Sequence, residues 1–280
     1  MTDSLDPTAA ARAVAVECAN DYQAVLADRL VAAYALGSLA HGGYAPAVSD
    51  IDLALVLTDT RDSDAATIET TRQSLHPRSP AHRKLSVFWS SQTALRDGRD
   101  DGRFPAIDRL DLHDHGQLLL GTDVARHVAI PTAGELLLDG AQFAVKVLAT
   151  DEVIAEFHQP RRLLEDPVWF TKAVLFPVRF LYTAARTIGR AATNDEAIDW
   201  YLTQPQAVAT PLVRLAARVR QGHRLTSEEA TPLLADGLVP LYLRYVDDQT
   251  PRLHQAEAPT DLVTAFTQWR QLLNVSRQSH

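Results

Sequence analysis

Two acidic residues spaced one apart, Asp50 and Asp52, open the apolar run Ile51-Asp52-Leu53-Ala54-Leu55-Val56-Leu57. In an extended strand alternate side chains point to opposite faces, so Asp50 and Asp52 project together while Ile51, Leu53, Leu55 and Leu57 pack beneath them. Two like charges at the mouth of an apolar strand repel each other and resist desolvation unless a cation lies between them. Mg²⁺ suits that place: it takes one or two carboxylates and fills its octahedral shell with water and phosphate oxygens.

The second half of the constellation is Leu36-Gly37-Ser38, which ends an earlier apolar run and is separated from Asp50 by the eleven residues Leu39 to Ser49. Gly37 has no side chain, so a phosphate can approach the backbone there, and the Ser38 amide and hydroxyl can donate to phosphate oxygens. Taken singly, an Asp-x-Asp is often a turn cap and a Gly-Ser merely a turn. In this order on neighbouring strand-like runs they make one site, with a nucleoside triphosphate held between Gly37-Ser38 and a metal, its α-phosphorus open to an attacking hydroxyl.

The elements that must position these residues can be read from the pattern. Asp6-Pro7-Thr8 starts a helix that the alanine- and valine-rich stretch carries to Leu30. Val31–Leu36, Ile51–Leu57, Leu85–Trp89 and Gln117–Leu120 are short apolar runs of strand length, with Asp64–Leu75 helical between the second and third. A Gly/Pro loop, His41 to Pro46, lies between the first two strands. After Pro131, Gly134 and Gly140 strand signals vanish. Helices are expected over Ala141–His158, Val168–Ile188 with a kink at Pro177, Asp195–Leu202, Pro211–Gln221, Ser227–Val246 and Pro259–Val275. The expected architecture is an N-terminal α/β domain, a mixed sheet with helices, over residues 1–130, followed by an all-α helical-bundle domain over 131–280.

Composition narrows the function. At 280 residues the chain can bury two ordinary cores. A formal charge of −8 argues against a general nucleic-acid surface, which needs clustered Lys and Arg, and favours a cationic small molecule. Lysine occurs only at Lys84, Lys146 and Lys172, a bias that reads as genomic GC content rather than chemistry. The single cysteine, Cys18, permits no internal disulfide and reads as a core thiol in a reducing compartment. The first residues lack the order of a signal peptide, and no apolar run reaches membrane-spanning length, so a cytoplasmic protein with no membrane partner is expected.

The order Gly37-Ser38, a loop with Gly42-Gly43 and Pro46, then Ser49-Asp50-Ile51-Asp52-Leu53 resembles the DNA polymerase β-like nucleotidyltransferase superfamily, specifically its aminoglycoside (streptomycin/spectinomycin) adenylyltransferase branch. Asp114 to Gly121 resembles the helix end and short strand that follow in that branch. Arg179-Phe180-Leu181-Tyr182 through Thr187, Gly189 and Arg190, then Ala197-Ile198-Asp199-Trp200, resembles its helical C-terminal domain. The likeness covers roughly the first 200 residues in register. It implies a bilobal, Mg²⁺-dependent enzyme that moves AMP from ATP to a hydroxyl of a cationic antibiotic. By the same resemblance Ser49 and Arg179 belong with Gly37 and Ser38 on the nucleotide, and the Asp199-Trp200 pair meets the acceptor.

One position departs from that pattern. Members of the superfamily carry a third carboxylate on the next strand, and here the matching residue of Lys84-Leu85-Ser86-Val87-Phe88-Trp89 is Ser86. Loss of general-base help typically costs about 10²- to 10⁴-fold in rate. Three outcomes stay open: another carboxylate, Asp108 or Asp111, serves instead, with Asp108 named as the catalytic candidate; the acceptor supplies its own base; or the chain is a nucleotide- or partner-binding module with little turnover. A minimal nucleotidyltransferase that modifies a protein or tRNA ranks lower, because those resemble only the N-terminal half.

Other polar groups have blander readings. His113-Asp114-His115 reads as a helix terminus rather than a zinc site, since no second ligand pair stands at metal spacing. Lys172, Arg179 and Arg186 recur every seven residues along one side of a helix, either solvated or facing phosphate, and Arg214 and Arg218 are weaker triphosphate candidates.

Overall fold

The structure, a computed structural model, describes residues 6–185 and 191–275. These form two compact units, one of the described residues to Pro131 with residues 191–193, the other of residues 132–185 with Asn194 onward.

The first unit is a four-stranded mixed sheet. Its strands are β1 (Leu30–Leu36), β2 (Ile51–Leu57), β3 (Leu85–Ser91) and β4 (Gln117–Gly121), in the order β3-β2-β1-β4. β1 is antiparallel to both β2 and β4, while β2 and β3 run parallel. The parallel pair needs a crossover, supplied by α3 (Asp64–Leu75). The helix α1 (Pro7–Leu26) lies on one face of the sheet, where its small residues Ala11, Ala15, Cys18 and Ala19 meet Ile51, Leu53, Leu55, Leu57, Leu85 and Val87. Cys18 is fully buried there, and burial pushes its thiol up to about 12.

The other face carries Tyr34, Leu36, Ala54, Val56 and Phe88, packed with Leu112, Phe104 and Val124. Leu112 belongs to α5 (Ala106–His115), and two short helices complete the unit, α2 (Gly37–His41) and α4 (Gln92–Arg96). Asp52 stands between Ile51 and Leu53, so the alternation turns it to the α5 face.

The expected α/β part followed by an all-helical part is what the structure shows, with several local differences. α1 ends at Leu26 rather than Leu30, because Ala27 takes φ 53 and a single 3₁₀ turn, Ala27–Arg29, leads into β1. Gly37–His41 forms one helical turn, so the loop that follows begins at Gly42 rather than at His41. α5 was visible only at its C-terminal end.

The helical unit consists of α6 (Ala133–Leu148), α7 (Asp151–His158), α8 (Arg162–Glu165), α9 (Pro167–Ala185), α10 (Asn194–Leu202), α11 (Thr210–Arg220), α12 (Ser227–Gln255) and α13 (Thr260–Val275). The single helix expected over 141–158 is two helices. The first begins at a capping box in which Thr132 and Glu135 bond reciprocally, and the second begins where the Thr150 hydroxyl accepts the Val153 amide. α9 runs on through Pro177, and α12 extends to Gln255 through Pro232, Pro240 and Pro251. α12 supplies Tyr242 and Tyr245, which meet Phe157, Phe266 and Trp269 in an aromatic core. Tyr242 donates to the Ala173 carbonyl at 2.8 Å.

At the base of β1 a buried ion pair fixes the crossover helix. Arg29 donates to Asp64 at 2.8 and 2.6 Å, with the Asp64 side chain 1% exposed. The Arg29 guanidinium holds the Asp64 carboxyl below the usual carboxylate range. Because the folded value is lowered, this stabilisation is present above the unfolded value of about 4 and is lost as pH falls through the folded one. We predict that Asp64→Ala lowers the unfolding free energy by about 3–5 kcal/mol in a urea titration, since it leaves Arg29 buried without its main partner. Asp64→Asn should also flatten the acid limb of stability against pH; an unchanged limb would assign that limb to other carboxylates.

Candidate active site

The candidate site is built at the C-terminal end of β1 and the N-terminal end of β2. Antiparallel pairing sets Leu36 opposite Asp52, so Gly37 follows directly beside that carboxylate. Gly37 has φ +59, and a Cβ built on it would lie 2.4 Å from Asp52 Oδ2. The carboxylate therefore occupies space that any other residue at position 37 would fill. Ser38, the next residue of α2, is buried.

Asp50 directly precedes β2 and is half-buried, as Asp52 is. Its charge reaches Tyr44: burial first, then the Asp50 carboxylate, raises the Tyr44 phenol above its ordinary value. Nothing in the spacing of the sequence had singled out Tyr44. Ser49 is committed to its own loop, its hydroxyl accepting the Ala45 amide at 3.0 Å while its amide donates to the Ala45 carbonyl at 2.8 Å. The loop is tied down further by Lys84, which donates to the Pro46 carbonyl.

In the parallel ladder Asp52 pairs with Ser86, so the neighbouring strand places a neutral hydroxyl beside it. A carboxylate from another element reaches the Gly37 turn on the β1 side. Asp111 of α5, buried at 7% exposure, accepts the Gly37 amide on Oδ2 at 2.6 Å. Its Oδ1 is also buried and has no hydrogen-bond partner among the described residues. Asp108 lies on the same side of α5 one turn earlier and is half-buried. His115, one turn after Asp111, sets its ring edge-on to that of His41 with centroids 5.4 Å apart. Gln117 donates to the Ala40 carbonyl and accepts from Arg12, closing the polar rim around α2. His113 and Asp114 bond each other at 2.9 Å, and Asp114 also accepts the Ala191 amide.

Among the described residues no group of three or more His, Cys, Asp or Glu side chains is placed to hold a metal unaided. A pair of hard carboxylate oxygens beside an open backbone fits a divalent cation that brings phosphate and water as its remaining ligands. That is the habit of Mg²⁺ rather than of a caged structural metal.

The remaining expected site residues belong to the helical unit. Arg179 on α9 lies near Arg220 at the end of α11; burial, partly opposed by Asp195 and reinforced by Arg179, lowers the Arg220 guanidinium. Arg220 was missed in the sequence, where Arg214 and Arg218 drew attention instead. Arg214 is exposed, and Arg218 is engaged with Glu229 at 2.6 Å and with His223. Asp199 is exposed on α10, and the half-buried Trp200 meets the Tyr182 ring edge-on at 5.5 Å. Arg186 lies outside the described residues, as do Thr187, Gly189 and Arg190. No helix among the described residues is long and apolar enough to cross a membrane.

No family model matches the chain, and no curated protein matches it. Among solved structures the chain is similar in fold to spectinomycin adenyltransferase AAD(9) from Enterococcus faecialis, determined with ATP and spectinomycin. The match has a TM-score of 0.53 at 15% sequence identity, and it covers 78% of this chain and 97% of that one. The mixed sheet and the helical unit after it thus follow a fold seen in another protein, whose structure was determined with ATP and spectinomycin.

Proposed function

We propose that the chain is a Mg²⁺-dependent nucleotidyltransferase that moves AMP from ATP to a hydroxyl of a small, cationic, aminoglycoside-like acceptor. The observation that carries the reading is the close approach of the Asp52 carboxylate to Gly37 at the end of β1. The fold shared with an adenyltransferase supports it. In this reading the unit up to about residue 130 is the nucleotidyltransferase domain and the helical unit binds the acceptor. The protein acts in the cytoplasm, with no nucleic acid or membrane partner.

Asp50 and Asp52 would hold the cation. When bound, it would offset the charge of the triphosphate and of the departing pyrophosphate. Ser38 offers its amide and hydroxyl to the phosphates. Gly37 contributes its lack of a side chain rather than its amide, which Asp111 already engages. Arg179, with Arg220 near it, is a cationic pair suited to phosphate oxygens. The exposed carboxylate of Asp199 and the ring of Trp200 suit a cationic acceptor by charge and by cation–π contact. The net charge of −8 favours such an acceptor over an anionic one.

A second reading, a nucleotide- or partner-binding module with weak or no turnover, is favoured by the pairing of Asp52 with Ser86 instead of an acid. Incubating the purified chain with labelled ATP, Mg²⁺ and a panel of aminoglycosides and aminocyclitols separates the two. AMP-modified product supports the enzyme, and nucleotide binding without product supports the module.

Two predictions test the site itself. Asp50→Ala and Asp52→Ala should each reduce Mg²⁺-dependent ATP affinity and transfer by about 10²-fold or more, the loss of several kcal/mol of charge stabilisation. Calorimetry with and without EDTA measures the first and label transfer the second; wild-type behaviour in both variants would end the assignment. Gly37→Ala should fold with a loss of about 1 kcal/mol yet bind Mg²⁺·ATP poorly, because its Cβ displaces the Asp52 carboxylate. Unaltered affinity would show that the carboxylate need not sit against the backbone.

A further inference from the structure

The strand position that would face Asp52 with an acid holds Ser86, yet a buried acid stands on the other side of Asp52, at the β1 end. α5 crosses the sheet face that carries Asp52 and brings Asp111 to Gly37. Gly37 is therefore bracketed by two carboxylates: Asp52 Oδ2 stands where its Cβ would be, and Asp111 Oδ2 takes its amide at 2.6 Å. Through that single residue the two oxygens lie within roughly 8 Å of each other.

A carboxylate that merely capped the turn would need one oxygen. Asp111 has a second, Oδ1, sealed from solvent and without a donor among the described residues, in a side chain 7% exposed. A buried acceptor left without a donor is destabilising, and in a native fold it calls for an explanation, a catalytic role among them. Its missing partner is a proton donor, and the donor that nucleotidyl transfer brings is the hydroxyl of the acceptor. The Gly37 amide fixes one oxygen and so orients the other, the arrangement a general base requires.

We infer that Asp111 is the general base of the reaction, a helix-borne replacement for the strand acid that Ser86 does not supply. The inference rests on the nucleotidyl-transfer reading above. In the step, the acceptor oxygen bonds to the α-phosphorus and its proton passes to Asp111. The bond from the α-phosphorus to the bridging oxygen breaks, and pyrophosphate departs with that electron pair. In this assignment substrate binding uncovers Asp111 Oδ1, which then touches the reacting hydroxyl, while Oδ2 stays on the Gly37 amide.

The test uses the full chain and three measurements: Mg²⁺·ATP affinity by calorimetry, AMP and pyrophosphate formation with the aminocyclitol panel and with water alone, and thermal melting. Asp111→Asn keeps an oxygen for the Gly37 amide, so it should fold and bind Mg²⁺·ATP within about threefold of wild type while kcat falls about 10²- to 10⁴-fold. Adding Ser86→Glu to that variant should restore at least tenfold of the loss, since it returns a carboxylate to the residue in register with Asp52. A purely structural Asp111 would not be rescued from the strand. If Asp111→Asn does not fold, Asp111→Glu serves instead, with kcat lowered at least tenfold by the displaced carboxylate and affinity kept. The inference is overturned if either folded variant turns over at the wild-type rate, if Ser86→Glu rescues nothing, or if wild-type protein binds Mg²⁺·ATP and forms no AMP even with water. Wild-type protein that does not bind Mg²⁺·ATP refutes the nucleotide reading itself, and this assignment with it.

Discussion

The contact between the Asp52 carboxylate and the bare backbone of Gly37 is the constraint on which the rest of the α/β unit depends. It requires β1 and β2 to pair in one register, because a slip by one residue would turn Asp52 into the apolar face under α1 and lift Ile51 or Leu53 out of it. The register is secured far from the site, by the close packing of alanines from α1 on Ile51, Leu53 and Leu55 and by Arg29 and Asp64 at the other end of the sheet. Packing energy in the core thus sets the position of a charge at the edge.

Concentrating negative charge at one strand mouth would ordinarily destabilise the fold, and the α5 side adds Asp111 to Asp50 and Asp52. The structure distributes the burden. Asp50 and Asp52 remain half-exposed, and Asp111, the buried member, is compensated by a backbone amide. The nearby cationic groups are turned to other tasks, Lys84 to the Pro46 carbonyl and Arg12 to Gln117.

Much of this could be read before any coordinates. The bounds of β2 and α3 follow directly from their apolar runs, because each is long enough to show its period and is closed by Thr58-Asp59 or His76-Pro77. That Gly37 and Asp52 share a site was legible from their order on neighbouring strand-like runs, and the neutral Ser86 from the resemblance; in the structure Leu36 pairs with Asp52 and Asp52 with Ser86. Asp111 was legible only as one of two options. Nothing local distinguishes it from Asp108; which of them accepts the Gly37 amide is decided by how α5 lands on β1 and α2. The helical turn Gly37–His41 escaped because so short a segment shows no period. The break of α6 from α7 was signalled by Thr150, and the start of α6 by Thr132 and Glu135, capping residues that an alanine- and leucine-rich background concealed. Arg220 has no sequence signal, since its character comes from burial beside Arg179 and Asp195.

The long α12 has Pro232, Pro240 and Pro251 within it, and each proline removes one donor from the helical ladder and crowds the turn before it. Such a segment gains little from its own backbone. What holds it is the side on which Leu234, Leu238, Tyr242, Tyr245 and Leu253 are buried among its neighbours. It is a helix by virtue of its companions: cut out as a peptide it would be largely coil, and in the growing chain it can acquire its shape only as the partners that cover it assemble.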